Sequence, residues 1–102
     1  MEIKINDNKQ FNVQINGRLD TNTAPELEDI LMEQYINPKC KKNIIFDCSG
    51  LEYLSSAGLR VIVMLLKYAE RNHISVNFAN MKDEIYEIFQ VTGFADLLNM
   101  RK

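Results

Sequence analysis

The stretch from Ser56 to about Arg71, SAGLRVIVMLLKYAER, constrains the fold more than any other part of this 102-residue chain. It opens on a residue type favoured at helix starts and carries too many consecutive apolar residues for a helix with a broad wet face. Its longest apolar run, Val61 to Leu66, is far too short to span a bilayer. Most of the circumference of this helix must then be covered by other elements, which places it at the centre of the core.

The segments around it supply the cover. Ile3 and Ile5, then Phe11, Val13 and Ile15, alternate with polar residues on either side of Asp7-Asn8, the period of two strands joined by a turn. Gly17-Arg-Leu-Asp20 breaks the alternation. Thr23 as N-cap, Pro25 in the first turn and Glu26 three residues after the cap predict a helix to about Tyr35, with Leu27, Ile30 and Leu31 on one face. Asn37-Pro38 ends it. Asn43-Ile-Ile-Phe46 is a short apolar run expected as a central strand buried on both faces. A turn from Cys48 to Gly50 leads on toward the core helix. Ile74, Val76 and Phe78 alternate as a further strand, and Asn80 to Asp83 caps a third helix carrying Ile85, Ile88 and Phe89. Gly93 suits a left-handed helix end, with Phe94 placed for the accompanying apolar contact, and Ala95 to Met100 are expected to add a final helical turn or two.

Strands alternating with helices predict an α/β domain with mostly parallel pairing and helices packed on the sheet. The loops at the carboxyl ends of the strands, Gly17 to Asp20, Asp47 to Gly50 and Ala79-Asn80, are expected along one edge. The length fits one domain, residues 1–102, and no repeat or linker divides it.

Composition removes several function classes. Twelve Lys and Arg against 14 Asp and Glu give a net charge of −2, with no long basic run to track a phosphate backbone, so nucleic acid is not an expected partner. Lys39-Cys-Lys-Lys42 reads as a solvated loop. Cys40 and Cys48 lack paired metal-ligand spacing and His73 is the only histidine, so no metal or other cofactor is expected, and the thiols should be free in a reducing cytoplasm. The first residues have no signal-peptide pattern, which predicts a cytosolic protein away from membranes. A serine hydrolase fits poorly: no GxSxG elbow surrounds Ser56, and His73 follows it by about 25 Å of helix at 1.5 Å per residue.

The informative chemistry is Ser55-Ser56-Ala57-Gly58. A serine at a helix start can cap a free backbone N–H. It can equally be a phosphorylation site, because a phosphate there meets unpaired N–H donors and the positive end of the helix dipole. Such a modification would act where a partner packs over the helix start, by bulk and by its charge of about −1.5 to −2. Arg60, Met64, Lys67 and Arg71 form a stripe running from that point, read either as a solvated edge or as a surface on which Arg60 and Met64 touch the partner.

Several motifs in order give the chain a resemblance to the STAS domain of anti-sigma factor antagonists. They are Gly17-Arg-Leu-Asp20 with Thr23-Ala24, Ile44-Ile-Phe-Asp47 running into Cys48-Ser49, Tyr53-Leu-Ser-Ser-Ala-Gly-Leu59, and Val91-Thr-Gly-Phe94. The resemblance implies a STAS fold: a mixed, mostly parallel sheet of four to five strands with helices against it. It implies Ser56 as phosphoacceptor, with Ser55 the second choice, and Asp20 and Asp47 as polar neighbours; with Gly58 and with Arg60 and Met64 of the helical stripe they make up the expected partner-binding site. It also implies a cycle. The unphosphorylated protein binds an anti-sigma factor that is a serine kinase and so frees a sigma factor; phosphorylation ends binding, and a phosphoserine phosphatase restores it. The chain itself would be a monomeric binding protein and no enzyme, the ATP and magnesium belonging to the kinase. A non-switching scaffold or transporter-accessory subunit is the alternative, and Ser55 stands where antagonists of this family commonly have Asp.

Overall fold

Residues 1–93 and 99–100 are described by the structure, a computed structural model. The alternating N-terminal residues form an antiparallel hairpin of β1 (Glu2–Asp7) and β2 (Phe11–Leu19), in which Ile3 pairs with Ile15 and Ile5 with Val13. Then come α1 (Ala24–Leu31), β3 (Ile44–Asp47), β4 (Leu51–Leu54), α2 (Ser56–Arg71), β5 (Val76–Ala79), α3 (Asp83–Val91) and β6 (Asn99–Met100). The strands lie in the order β1-β2-β3-β5-β6, and β4 pairs with the far end of β2. All pairings after the hairpin are parallel. This is the expected α/β architecture with a mixed, mostly parallel sheet.

The sheet has one covered face. Phe11, Val13, Ile15, Ile44, Phe46, Val76 and Phe78 are buried, whereas the residues between them, Asn12, Gln14, Asn16, Ile45, Asp47, Asn77 and Ala79, are half-buried. Rings fix the helices to the covered side. Tyr35 lies 4.9 Å from Phe11 and 5.8 Å from Tyr68 of α2, and Phe89 of α3 lies 6.0 Å from Phe78, which stacks on Phe46 at 5.0 Å. The expectation that β3 is buried on both faces is therefore corrected. Every helix packs on one side, and Ile45 is the sole apolar member of β3 on the other, so an apolar run this short does not distinguish the two cases.

Within α2, Gly58, Leu59, Val61, Ile62, Val63, Leu65, Leu66 and Ala69 are all buried, as its composition required. Two caps differ from expectation. Thr23 is itself helical and makes no cap bond. Asp20 does this work, its Oδ1 accepting from the N–H groups of Asn22 (2.9 Å) and Thr23 (3.1 Å) while its carbonyl accepts from Ala24 N–H at 2.8 Å. Asn80 does not cap α3; with φ of 59° it turns back, and its Nδ2 donates to Asp47 Oδ1 at 3.3 Å. α1 continues into a π-helical turn, Met32–Ile36, which carries the buried Tyr35, and the Tyr35 hydroxyl donates to the Lys42 carbonyl.

Gly93 has the expected left-handed φ of 81°. The contact expected of Phe94 and residues 95–98 of the helical turns expected from Ala95 to Met100 lie outside the described residues. Asn99 and Met100 instead pair with Asn77 and Phe78 as a strand. Among the described residues no helix is long and apolar enough to cross a membrane.

Candidate functional site

The carboxyl ends of β2, β3 and β5 do converge. Gly17 N–H donates to the Gly50 carbonyl at 2.8 Å, and Cys48 N–H to the Ala79 carbonyl at 2.9 Å. Gly17 has φ of 102°, at a register shift between β2 and β4. The sequence pattern does not predict β4 as a strand. With buried Leu51 and Leu54 flanking exposed Glu52 and Tyr53, it lacks a strand's alternation, and it follows directly on the turn that ends at Gly50.

From β4 the chain enters α2 at the two serines, and their environments differ. Ser55 is extended, with φ of −87° and ψ of 170°, and its Oγ accepts from Gly58 N–H at 3.1 Å. Its own N–H donates to the Leu19 carbonyl at 2.9 Å, tying the helix start to the end of β2. Ser55 is thus the N-cap. Ser56, the first residue of α2, is exposed. Gly58 lets α2 press against β2: a Cβ there would sit 2.6 Å from Leu19 Cγ and 2.9 Å from Leu19 O.

Ser56 lines a concavity with Leu59, Arg60, Val63 and Lys67 of α2 and Thr92 after α3. Arg60 also borders a second concavity, with Thr21, Pro25, Glu28, Asp29 and Ala57 between α1 and α2. Met64 lies elsewhere; it is half-buried against the core. Counting three, four, seven and eleven residues on from Ser56 finds the lining side chains of α2, whereas a stripe begun at Arg60 brings in Met64 instead of Leu59 and Val63.

The two aspartates are placed differently from each other. Asp20 follows Leu19, the residue bonded to Ser55 N–H, and is engaged in capping. The Thr23 N–H, with that of Asn22, holds its carboxyl below the usual value. Asp47 Oδ1 accepts from Ser49 N–H at 3.0 Å, which lowers its pKa in the same sense. Asp47 lines a groove on the open face of the sheet with Lys4, Asn12, Gln14 and Ile45, and does not share the Ser56 concavity. A feature unmarked in the sequence is Arg18, whose guanidinium stacks 4.1 Å over the exposed ring of Tyr53, its partner across β2 and β4. Cys48 is buried, and loss of solvation pushes its thiol up to about 12.

Fold and site together define a two-layer α/β domain that presents an exposed serine where a sheet edge meets its central helix. The chain belongs to the STAS domain family, whose model matches residues 1–102. It is 29% identical over 94 residues to a Staphylococcus aureus protein named anti-sigma-B factor antagonist, covering 92% of this chain and 85% of that one. A Staphylococcus epidermidis protein of the same name is 26% identical over 92 residues, covering 90% and 83%. Among solved structures, the unphosphorylated anti-sigma factor antagonist SpoIIAA superposes with a TM-score of 0.81 at 13% identity, covering 99% of this chain and 89% of that one. The phosphorylated form of SpoIIAA, a Bacillus cell fate determinant, gives 0.75 at 13%, covering 99% and 92%.

Proposed function

We infer that this STAS domain is an anti-sigma factor antagonist, a cytoplasmic, monomeric binding protein switched by phosphorylation of Ser56. Unphosphorylated, it binds an anti-sigma factor that is a serine kinase and so frees the sigma factor. The kinase transfers the γ-phosphoryl group of its ATP to Ser56 Oγ, with loss of the hydroxyl proton and release of ADP. The phosphorylated protein leaves, and a phosphoserine phosphatase restores it by hydrolysis. The domain is the substrate in this cycle and supplies no catalytic group.

The observation that carries this reading is the division of labour between the serines. Ser55 Oγ is committed to Gly58 N–H, while the Ser56 side chain is exposed and makes no hydrogen bond among the described residues. A phosphate on Ser56 leaves the cap in place, and the first-turn N–H groups that Ser55 does not satisfy favour the added charge. The fold then persists while the surface over the helix start changes in charge and bulk. The names of the staphylococcal relatives support the same class of partner.

The test is binding to the cognate anti-sigma kinase in the presence of nucleotide. Ser56→Ala should bind constitutively and Ser56→Asp should lose at least tenfold in affinity, about 1.4 kcal/mol. Equal binding by the two would leave the non-switching scaffold, the reading favoured by Ser55 in the position where Asp is common.

A further inference from the structure

The Ser56 concavity carries charge of one sign. Its described lining holds two cations, Arg60 and Lys67, and no carboxylate, around an apolar strip of Leu59 and Val63. Neither cation forms an ion pair among the described residues; the pairs found there are Lys4 with Glu2 and Lys42 with Asp7. Arg60 follows Ser56 by four residues, so the two exposed side chains are neighbours on one helical face. Glu28 and Asp29 of α1 border the second concavity on the other side of Arg60, neither within ion-pairing distance of it.

We propose that Arg60 is the internal counter-ion of a phosphate on Ser56. This deepens the phosphorylation reading and rests on it. Arginine suits the role, since its planar fork matches phosphate oxygens and its charge persists at every relevant pH. Against the cations at positions 60 and 67, a phosphate of about −1.5 to −2 cancels the positive charge of the concavity and leaves little excess of the opposite sign. Phosphorylation then acts by removing a free guanidinium from the edge of the Leu59 and Val63 strip. The segment that docks there in the unphosphorylated state is accordingly apolar and flanked by carboxylates, and the phosphate takes the place of one of those carboxylates at Arg60.

The test is a ³¹P NMR titration of the full chain with phosphoserine incorporated genetically at position 56, which requires no host kinase. In 0.1 M salt the second phosphate pKa, ordinarily about 6, should rise by about half a unit on Arg60→Gln. It should stay near the parent value on Arg60→Lys, which keeps the charge. Lys67→Gln should move it less, since Lys67 lies about 16 Å from Ser56 along the helix axis at 1.5 Å per residue, against about 6 Å for Arg60. The Arg60 effect should fade at 1 M salt. No rise on Arg60→Gln, or an equal rise on Lys67→Gln, overturns the assignment. Whether the host phosphorylates Ser56 is decided by a separate measurement, so the two ideas fail separately.

Discussion

Ser55 and Ser56 differ by one hydrogen bond, and stability measurements should resolve it. Ser55→Ala removes the acceptor for Gly58 N–H and should cost about 1 kcal/mol, the usual price of a lost serine cap. Ser56→Ala removes an exposed hydroxyl and should fall within about 0.5 kcal/mol of the parent. Urea denaturation of both variants checks this, and a larger loss for Ser56→Ala would mean that the capping assignment is reversed. Two hydroxyls in succession at a helix start leave the cap ambiguous in sequence, because either can reach a first-turn N–H. The backbone decides: Ser55 is extended and bonded to Leu19, whereas Ser56 is already helical. Asp20 was not legible as the cap of α1, because Thr23 with Glu26 matched a capping box and Asp20 lay three residues earlier.

At the scale of elements, α2 was the most legible part of the chain, because its apolar content leaves no other placement. Its position depends on Gly58. Adding a methyl group there drives a Cβ to 2.6 Å from Leu19 Cγ and 2.9 Å from the Leu19 carbonyl, and the helix start must move off β2. Gly58→Ala should therefore destabilise by about 1–3 kcal/mol, the range for overpacking a filled interior, and should weaken kinase binding by displacing Ser56. Unchanged stability with unchanged binding would show that the contact between α2 and β2 does not set the site. β4 was illegible for a local reason: its four residues bury only the first and last, and its pairing with β2 is interrupted by a register shift at Gly17. The strand Asn99–Met100 is likewise set by its neighbour β5, too short at two residues to carry a period.

For the molecule as a whole, the alternation of strands and helices was enough to give parallel pairing and the convergence of the carboxyl ends of β2, β3 and β5. It was not enough to show that all the helices lie on one face of the sheet. The open face carries Asn12, Gln14, Asn16 and Asn77 beside Ile45, a mixture that a count of apolar residues in β3 alone does not reveal. That asymmetry separates Asp47, which lines the open face, from the concavity shared by Ser56 and Arg60. The proposed switch depends on the exposed hydroxyl of Ser56, and site-localised mass spectrometry of the protein isolated from its native host tests it most directly. A phosphopeptide with the phosphate on Ser56 and Ser55 unmodified is the predicted result. Phosphate on Ser55, or none under conditions where the sigma factor is held inactive, would contradict it.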